Sequence, residues 1–499
     1  GAKEWGGVGG VARLVGMLKE SPAVADALAW AYVPGKDRAG EVLKIVGELR
    51  DAGGPVEKYP ELAAAIAVVH DMKDPRAQKW SPGPVELFEY YTDPRQRLLM
   101  PVDALPGVLL VHLVDCVVSR EEMGWAYGQY RSNARVGVHY KEVRYDTPFF
   151  KGQQPKKMDG QDYTLRNILK FGGVCVEQAY FAEMIGKAIG VPTATVTARG
   201  DSVGHAWIGY LMKQNRGWAW DLTEGRYDEY EGEQADVVDP QTGASITDAE
   251  LQMKADRASM SPELVRESLA RADAAAVMSE PQAALAMMER AVNACPYVPA
   301  AWERMAELAG KKKLAPADLE KWGMALVTLC GTKYPDFAVK VLDPLIKTMA
   351  DPADRAACWA WARGELVDAQ RNRSLLRHDL AVSLRVREGD CLREGKDEAG
   401  AWATYQEAIK QYGKKTPAVQ AAAGRCEKML MEAQKSPAEV VDFWSWAWKQ
   451  TDKPKKMSAE FAMGSNYSVF GMRYAAALER SGDPRRAEQV RRDILPKDK

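Results

Sequence analysis

The sequence FGGVCVEQA, residues 171–179, marks the start of a predicted helix. The paired glycines, Gly172 and Gly173, end the helical pattern that precedes them. A helical pattern then runs from Cys175 to Ile189, where Gly190 and Pro192 end it. We therefore predict that Cys175 lies in the first turn of this helix.

A cysteine in the first turn of a helix has a distinctive chemical environment. The unpaired amide N–H groups and the helix dipole favour an anion, so a thiolate at Cys175 should be stabilised and its pKa lowered. The same amides can donate to the oxyanion that forms when a thiolate attacks a carbonyl carbon. Cys175 is thus a candidate nucleophile, and the alternative is a buried structural thiol.

Alternating and β-branched residues after the helix predict a small sheet. The predicted pieces are a strand at Thr193–Thr197, a polar turn at 199–203, a strand at Gly204–Met212, a hairpin loop at 213–217 and a return strand at Trp218–Leu222. His205 lies near the start of the second strand and Asp221 near the end of the third. An odd-length loop would place both side chains on one face, where a carboxylate can fix the tautomer of an imidazole. The alternatives are a core histidine and an aspartate that caps a loop.

Residues 160–245 resemble the transglutaminase-like superfamily of papain-like cysteine enzymes. The resemblance is carried by Gly-Gly-Val-Cys175-Val-Glu-Gln-Ala, Gly190-Val191-Pro192, Gly-His205-Ala-Trp207 and Trp220-Asp221. It implies acyl chemistry, with Cys175 as nucleophile, His205 as base and then acid, and Asp221 as orienter of the imidazole. Calcium sites and accessory β-sandwiches of the animal cross-linking enzymes are not visible, and bacterial members with helical appendages look more like proteases or amidases.

The side-chain donor that the family places upstream of the cysteine has no clear counterpart. Tyr163 and Asn167 are the candidates for this oxyanion role. Gly173, Trp207 and Trp220 are further candidates for substrate binding.

The length of 499 residues exceeds what one hydrophobic core usually supports, so several domains are expected. We predict an α+β fold in three parts: an N-terminal helical domain (1–133), a transglutaminase-like core (134–260) that begins with a strand over Val136–Tyr145, and a helical-repeat domain (261–499). Residues 281–292, 398–409 and 482–490 resemble one another, with small alanines after a turn, as in a degenerate tetratricopeptide-like array.

Composition excludes several kinds of partner. Lys plus Arg number 68 against 69 Asp plus Glu, without a basic run, so nucleic acid is not expected. No apolar run reaches the ~20 residues of a membrane helix.

The 7 cysteines form no C-x-x-C pair, which argues against a disulfide framework or a zinc knuckle. His112 and Cys116 share a helical face but lack a third ligand nearby, so a core face is preferred and no metal or cofactor is expected.

The leading functional prediction is a thiol hydrolase that acts on peptide or isopeptide amides, with the helical repeats engaging a protein substrate or partner. An acyltransferase and a catalytically silent binding fold are the alternatives. The compartment is left open between the cytoplasm and export after removal of a signal, because a trimmed chain would look the same.

Overall fold

The computed structural model describes residues 16, 18–150, 152–199, 204–227, 230, 233–311, 315–331, 333–368, 377–454 and 464–494. The chain is helix-rich, and its described part contains one small antiparallel sheet with the strand order β3-β2-β1-β4-β5. This is an α+β fold.

The described strands are β1 (Thr193–Arg199), β2 (Gly204–Gln214), β3 (Gly217–Asp221), β4 (Asp236–Val238) and β5 (Ser245–Thr247). The helices up to the sheet are α1 (Pro22–Ala31), α2 (Ala39–Asp51), α3 (Pro60–Val69), α4 (Pro84–Thr92), α5 (Gly107–Val114), α6 (Arg120–Tyr130), α7 (Thr147–Phe150), α8 (Leu165–Phe171) and α9 (Cys175–Ala188). The helices after it are α10 (Asp248–Ala258), α11 (Pro262–Val277), α12 (Pro281–Ala294), α13 (Pro299–Gly310), α14 (Pro316–Leu326), α15 (Pro335–Lys347), α16 (Pro352–Arg363), α17 (His378–Glu394), α18 (Glu398–Tyr412), α19 (Val419–Glu432), α20 (Pro437–Lys449), α21 (Asn466–Arg480) and α22 (Pro484–Ile494).

Helix α9 begins at Cys175, as the sequence predicts. Gly172 has a φ of 82°, and a Cβ atom there would lie 2.4 Å from the Arg144 carbonyl oxygen, so this approach requires glycine. Gly190 ends the helix with a φ of 89°. Most of α9 is buried against β1 and β2.

The predicted strand over Val136–Tyr145 is wrong. Val136–Glu142 forms a short 3₁₀ helix instead, and it packs against α9. Its buried residues are Val136, Gly137, His139 and Tyr140. The side chains of Val136, His139 and Tyr140 are three and four positions apart, which suits a helical turn.

The β2–β3 hairpin differs from the predicted one in its loop. Gln214 pairs with Gly217, so only Asn215 and Arg216 form the turn. The polar residues Lys213 and Gln214 therefore belong to β2. A two-residue turn changes which side chains share a face of the sheet.

Within the described part of the chain, most buried hydrophobic residues fall into two cores. The first runs from Val24 to Ala255, and the second from Met253 to Val490. The predicted boundary at 133/134 thus falls within a single core, which the N-terminal helices share with α9 and the sheet. In the second core, Ala284, Ala291, Ala401 and Ala408 are fully buried where the repeat pattern predicts close helix packing.

Among the described residues, no helix combines the length and the apolar character needed to cross a membrane.

Candidate active site

The Cys175 thiol lies at an edge of the sheet. Strand β3 ends at Asp221, opposite Tyr210, so the preceding part of β2 has no β3 neighbour. The Tyr140 hydroxyl donates to the Ala206 carbonyl oxygen at 2.9 Å on this edge. The Ala206 backbone also interacts with Cys175. The thiol therefore meets β2 at the residue that follows His205.

Burial raises the pKa of the Cys175 thiol, and this is the largest influence on it. The Ala206 N–H on β2 lowers the pKa, and so do the N–H groups of Val176 and Cys175 itself at the helix N-terminus, while the Glu177 carboxylate raises it. The balance lies above the ordinary value. The predicted lowering of the Cys175 pKa is thus wrong, because burial outweighs the amides.

The His205 imidazole is buried within a group of aromatic rings. His205 is only 3% exposed. The ring stacks on Tyr227 with centroids 3.8 Å apart and lies 5.7 Å from Trp207 and 5.4 Å from Tyr230. Its Nε2 atom is 2.7 Å from the Gly225 carbonyl oxygen.

Asp221 does not share a face of the hairpin with His205. Asp221 pairs with Tyr210, and side chains alternate along β2, so Tyr210 and His205 point to opposite faces. The predicted shared face is therefore wrong. The Asp221 carboxylate instead accepts the Tyr210 hydroxyl at 2.9 Å and the Thr223 N–H and hydroxyl at 3.0 and 2.7 Å. Burial raises the pKa of Asp221, but these hydrogen bonds more than offset it and hold the pKa below its usual range.

Within the described part of the chain, no side chain hydrogen-bonds the Cys175 sulfur. Cys175 contacts β2 beside His205. The described residues lack the hydrogen bonds that would join Cys175, His205 and Asp221 into a triad. Catalytic hydrogen bonds are often long in enzymes without substrate, so this geometry does not remove His205 as a base.

The two candidate oxyanion donors have other partners. The Tyr163 hydroxyl donates to Glu177 Oε1 at 3.1 Å. The Asn167 side chain donates to the Asp162 carbonyl oxygen at 3.0 Å, in the first turn of α8. Neither contact reaches Cys175.

The other substrate-binding candidates are packing residues. A Cβ atom at Gly173 would lie 2.3 Å from Glu177 Cβ, so this glycine makes room for Glu177. Trp207 is fully buried and donates to the Leu222 carbonyl oxygen at 2.9 Å. Trp220 is buried against His112, with ring centroids 5.3 Å apart.

Glu177 is a site residue that the sequence analysis missed. It is 2% exposed, and its carboxylate contacts Lys156 Nζ at 2.6 Å and the Val174 N–H at 2.9 Å. The contact with Val174 caps α9, and the glutamate three residues after the N-cap in Val174-Cys175-Val176-Glu177 is a signal that could have identified it. Glu177 thus fixes the turn that holds the thiol.

Tyr140 and Gly225 were also missed. Tyr227 was not, because its place shortly after Asp221 predicts that it lines the cleft or ties down the segment that follows. Gly225 lies in the polar segment after β3, where a glycine typically marks a turn. Tyr140 carries no sequence signal for its position, which is set by packing against Gly225. Tyr227 stacks on His205.

The described residues contain no group of three or more His, Cys, Asp or Glu side chains suited to a metal ion. His112 and Cys116 are both buried in the first core, and burial raises the pKa of the Cys116 thiol to about 12.

No protein-family model, no curated protein and no solved structure matches this chain. The assignment to the transglutaminase-like superfamily therefore stays a prediction that depends on the motif residues.

Proposed function

We propose that the protein is a cysteine-nucleophile hydrolase of peptide or isopeptide amides, with a papain-like core in which Cys175 is the nucleophile and His205 the base. The observation that carries the proposal is the contact of Cys175, the first residue of α9, with the backbone of Ala206, next to His205 on the open edge of β2.

The proposed reaction begins with the neutral thiol, because burial raises the pKa of Cys175. His205 takes the thiol proton as sulfur bonds to the amide carbonyl carbon, and backbone N–H groups at the start of α9 stabilise the oxyanion. Collapse breaks the C–N bond, and the imidazolium returns its proton to the leaving amine. Water then cleaves the thioester, with His205 accepting one of its protons, and releases the acid and the thiol.

A raised thiol pKa distinguishes this site from one with a resting thiolate–imidazolium pair. Proton transfer would accompany attack rather than precede it. The helices of the second hydrophobic core are proposed to be repeats that position a protein substrate or partner.

A binding protein without catalysis is the second candidate. It is favoured by the partners of Asp221, which are Tyr210 and Thr223 instead of His205. The same fold would then hold a peptide next to Cys175 without cleaving it.

The test uses the full chain and a mixed peptide library whose cleavage products are identified by mass spectrometry. Cleavage should disappear in Cys175→Ala and persist in Cys358→Ala, which removes a partly exposed thiol outside the site. Library peptides retained on the protein but never cleaved would favour the binding protein. Cleavage that survives Cys175→Ala would overturn Cys175 as nucleophile. Products joined to an added primary amine would identify an acyltransferase.

A further inference from the structure

We infer that the backbone carbonyl of Gly225, in place of the Asp221 carboxylate, orients the His205 imidazole, so that the neutral ring carries its proton on Nε2 and exchanges protons with the thiol through Nδ1. This inference rests on the proposed function for its catalytic meaning, but its structural content can be measured independently.

The hydrogen bond of His205 fixes the tautomer. Nε2 lies 2.7 Å from the Gly225 oxygen. A backbone carbonyl oxygen only accepts hydrogen bonds, so Nε2 must be the donor. In a neutral imidazole the other nitrogen, Nδ1, then holds the lone pair.

A tight turn presents this carbonyl. The turn runs from Thr223 to Arg226 and is closed by the Arg226 N–H, which donates to the Thr223 carbonyl oxygen at 3.1 Å. Gly225 is the third residue of the turn and has a φ of 86°, as a type II turn requires. A side chain at Gly225 would also crowd Tyr140, whose nearest ring atoms would lie 3.0 Å from the added Cβ atom and would have to shift.

Both ends of the turn are anchored. Asp221 Oδ1 accepts hydrogen bonds from the Thr223 N–H and hydroxyl. Arg226 donates to the Tyr230 carbonyl oxygen at 2.9 Å and lies 5.0 Å above the Trp207 ring. Asp221 therefore acts on His205 indirectly, by holding the turn that carries Gly225.

The plane of the imidazole is restrained separately. Tyr227 stacks on it at an interplanar angle of 17°. Stacking limits tilting of the ring, and the Gly225 bond selects which nitrogen faces the turn. Gly225 and Tyr227 are thus positioning residues, which act by holding the imidazole.

The test reads the tautomer directly. The full chain is labelled with ¹⁵N at histidine, and long-range ¹H–¹⁵N correlation spectra are recorded at mildly alkaline pH. With 5 histidines in the chain, His205→Gln assigns the signal. The expected result is the Nε2–H tautomer in the unmodified chain and in Asp221→Asn, because asparagine keeps an oxygen for Thr223. Gly225→Ala should raise the Nδ1–H population several-fold.

An Nδ1–H tautomer in the unmodified chain would overturn the inference, and so would a change of tautomer caused by Asp221→Asn. If Gly225→Ala fails to fold, the unmodified chain and Asp221→Asn still decide. An Nε2–H tautomer without Cys175-dependent cleavage would overturn the proposed function alone. Cleavage with an Nδ1–H tautomer would overturn only the role of Gly225.

Discussion

Asp221 lies opposite Tyr210 across β2 and β3, and the Tyr210 hydroxyl donates to its carboxylate at 2.9 Å. This pairing separates Asp221 from His205 by the thickness of the sheet. The carboxylate therefore serves the hairpin and the following turn, and the chain orients its histidine by another group.

The two substitutions Asp221→Asn and Asp221→Ala should have different effects. Asparagine keeps the acceptor for Thr223, so cleavage should fall by less than about tenfold, whereas loss of a direct carboxylate partner costs about 10⁴-fold in serine proteases. Alanine leaves Thr223 and Tyr210 without their acceptor and should destabilise the fold by about 1–3 kcal/mol. Cleavage rates and urea unfolding measure both. Equal loss of cleavage in the two variants, with stability unchanged, would restore Asp221 as a direct partner.

The alkylation of Cys175 should follow an alkaline pH profile. Burial raises the thiol pKa above its ordinary value of 9.0, so the reactive thiolate is a small fraction at neutral pH. The rate of iodoacetamide labelling, followed at the Cys175 peptide, should rise with pH beyond 9.0. Denatured protein provides the reference profile. A plateau already reached at pH 7 would show a resting thiolate instead.

Glu177→Gln should shift that profile to lower pH. The Glu177 carboxylate raises the pKa of Cys175, and glutamine removes its charge. Glutamine also suits the third position of a helix cap, so α9 should still begin at Cys175. Labelling rates of the two proteins are compared across the same pH series. A shift to higher pH would mean that the carboxylate does not act through its charge.

The parts of the site that sequence predicted are those with local causes. The start of α9 at Cys175 follows from the glycines before it, and β1 and β2 follow from their alternating residues. Loop parity in the β2–β3 hairpin was not predictable, because Lys213 and Gln214 suit an exposed strand end as well as a loop. Because the turn has two residues instead of an odd number, Asp221 lies on the face of the hairpin opposite to His205.

Tertiary packing accounts for the remaining differences. The residues of Val136–Glu142 favour a strand by composition, but burial against α9 selects a helical turn. The thiol pKa depends on how deeply α9 is buried, which the helix N-terminus alone does not reveal. The partner of His205 at Gly225 is a backbone carbonyl, which every residue has. Only its position in the structure identifies it as a partner of His205.

Lys156 should contribute more to stability than an exposed lysine in a similar ion pair. Lys156 is 23% exposed and contacts Glu177, which is 2% exposed, so Lys156→Met leaves a buried carboxylate without its cation. We expect a loss of about 1–3 kcal/mol. Lys141→Met is the matched control, because Lys141 is 72% exposed and pairs with Glu224 at 2.8 Å. Its loss should stay within about 0.5 kcal/mol. Equal losses in urea unfolding would contradict this reading of burial.

Asp37 should lower the free energy of unfolding as the pH rises from acidic to neutral. Burial raises its pKa from 3.8 to about 6, and Asp71 and Asp239 add repulsion, while the Val33 N–H and the Gln241 side chain donate to the carboxylate. A raised folded-state pKa contributes stability that is fully present below pH 3.8 and is lost as the pH rises through about 6. Relative to the unmodified chain, Asp37→Asn should therefore gain about 1–3 kcal/mol as the pH is raised from about 4 to about 7. Asp93→Asn is a control of opposite sign at lower pH. Arg95 lowers the pKa of Asp93 from 3.8 to about 2, so the stability that Asp93 contributes is lost only as the pH falls from about 3.8 through about 2. Thermal or urea unfolding at several pH values measures both differences. If the stability of Asp37→Asn relative to the unmodified chain falls with rising pH, burial does not disfavour the charged form of Asp37.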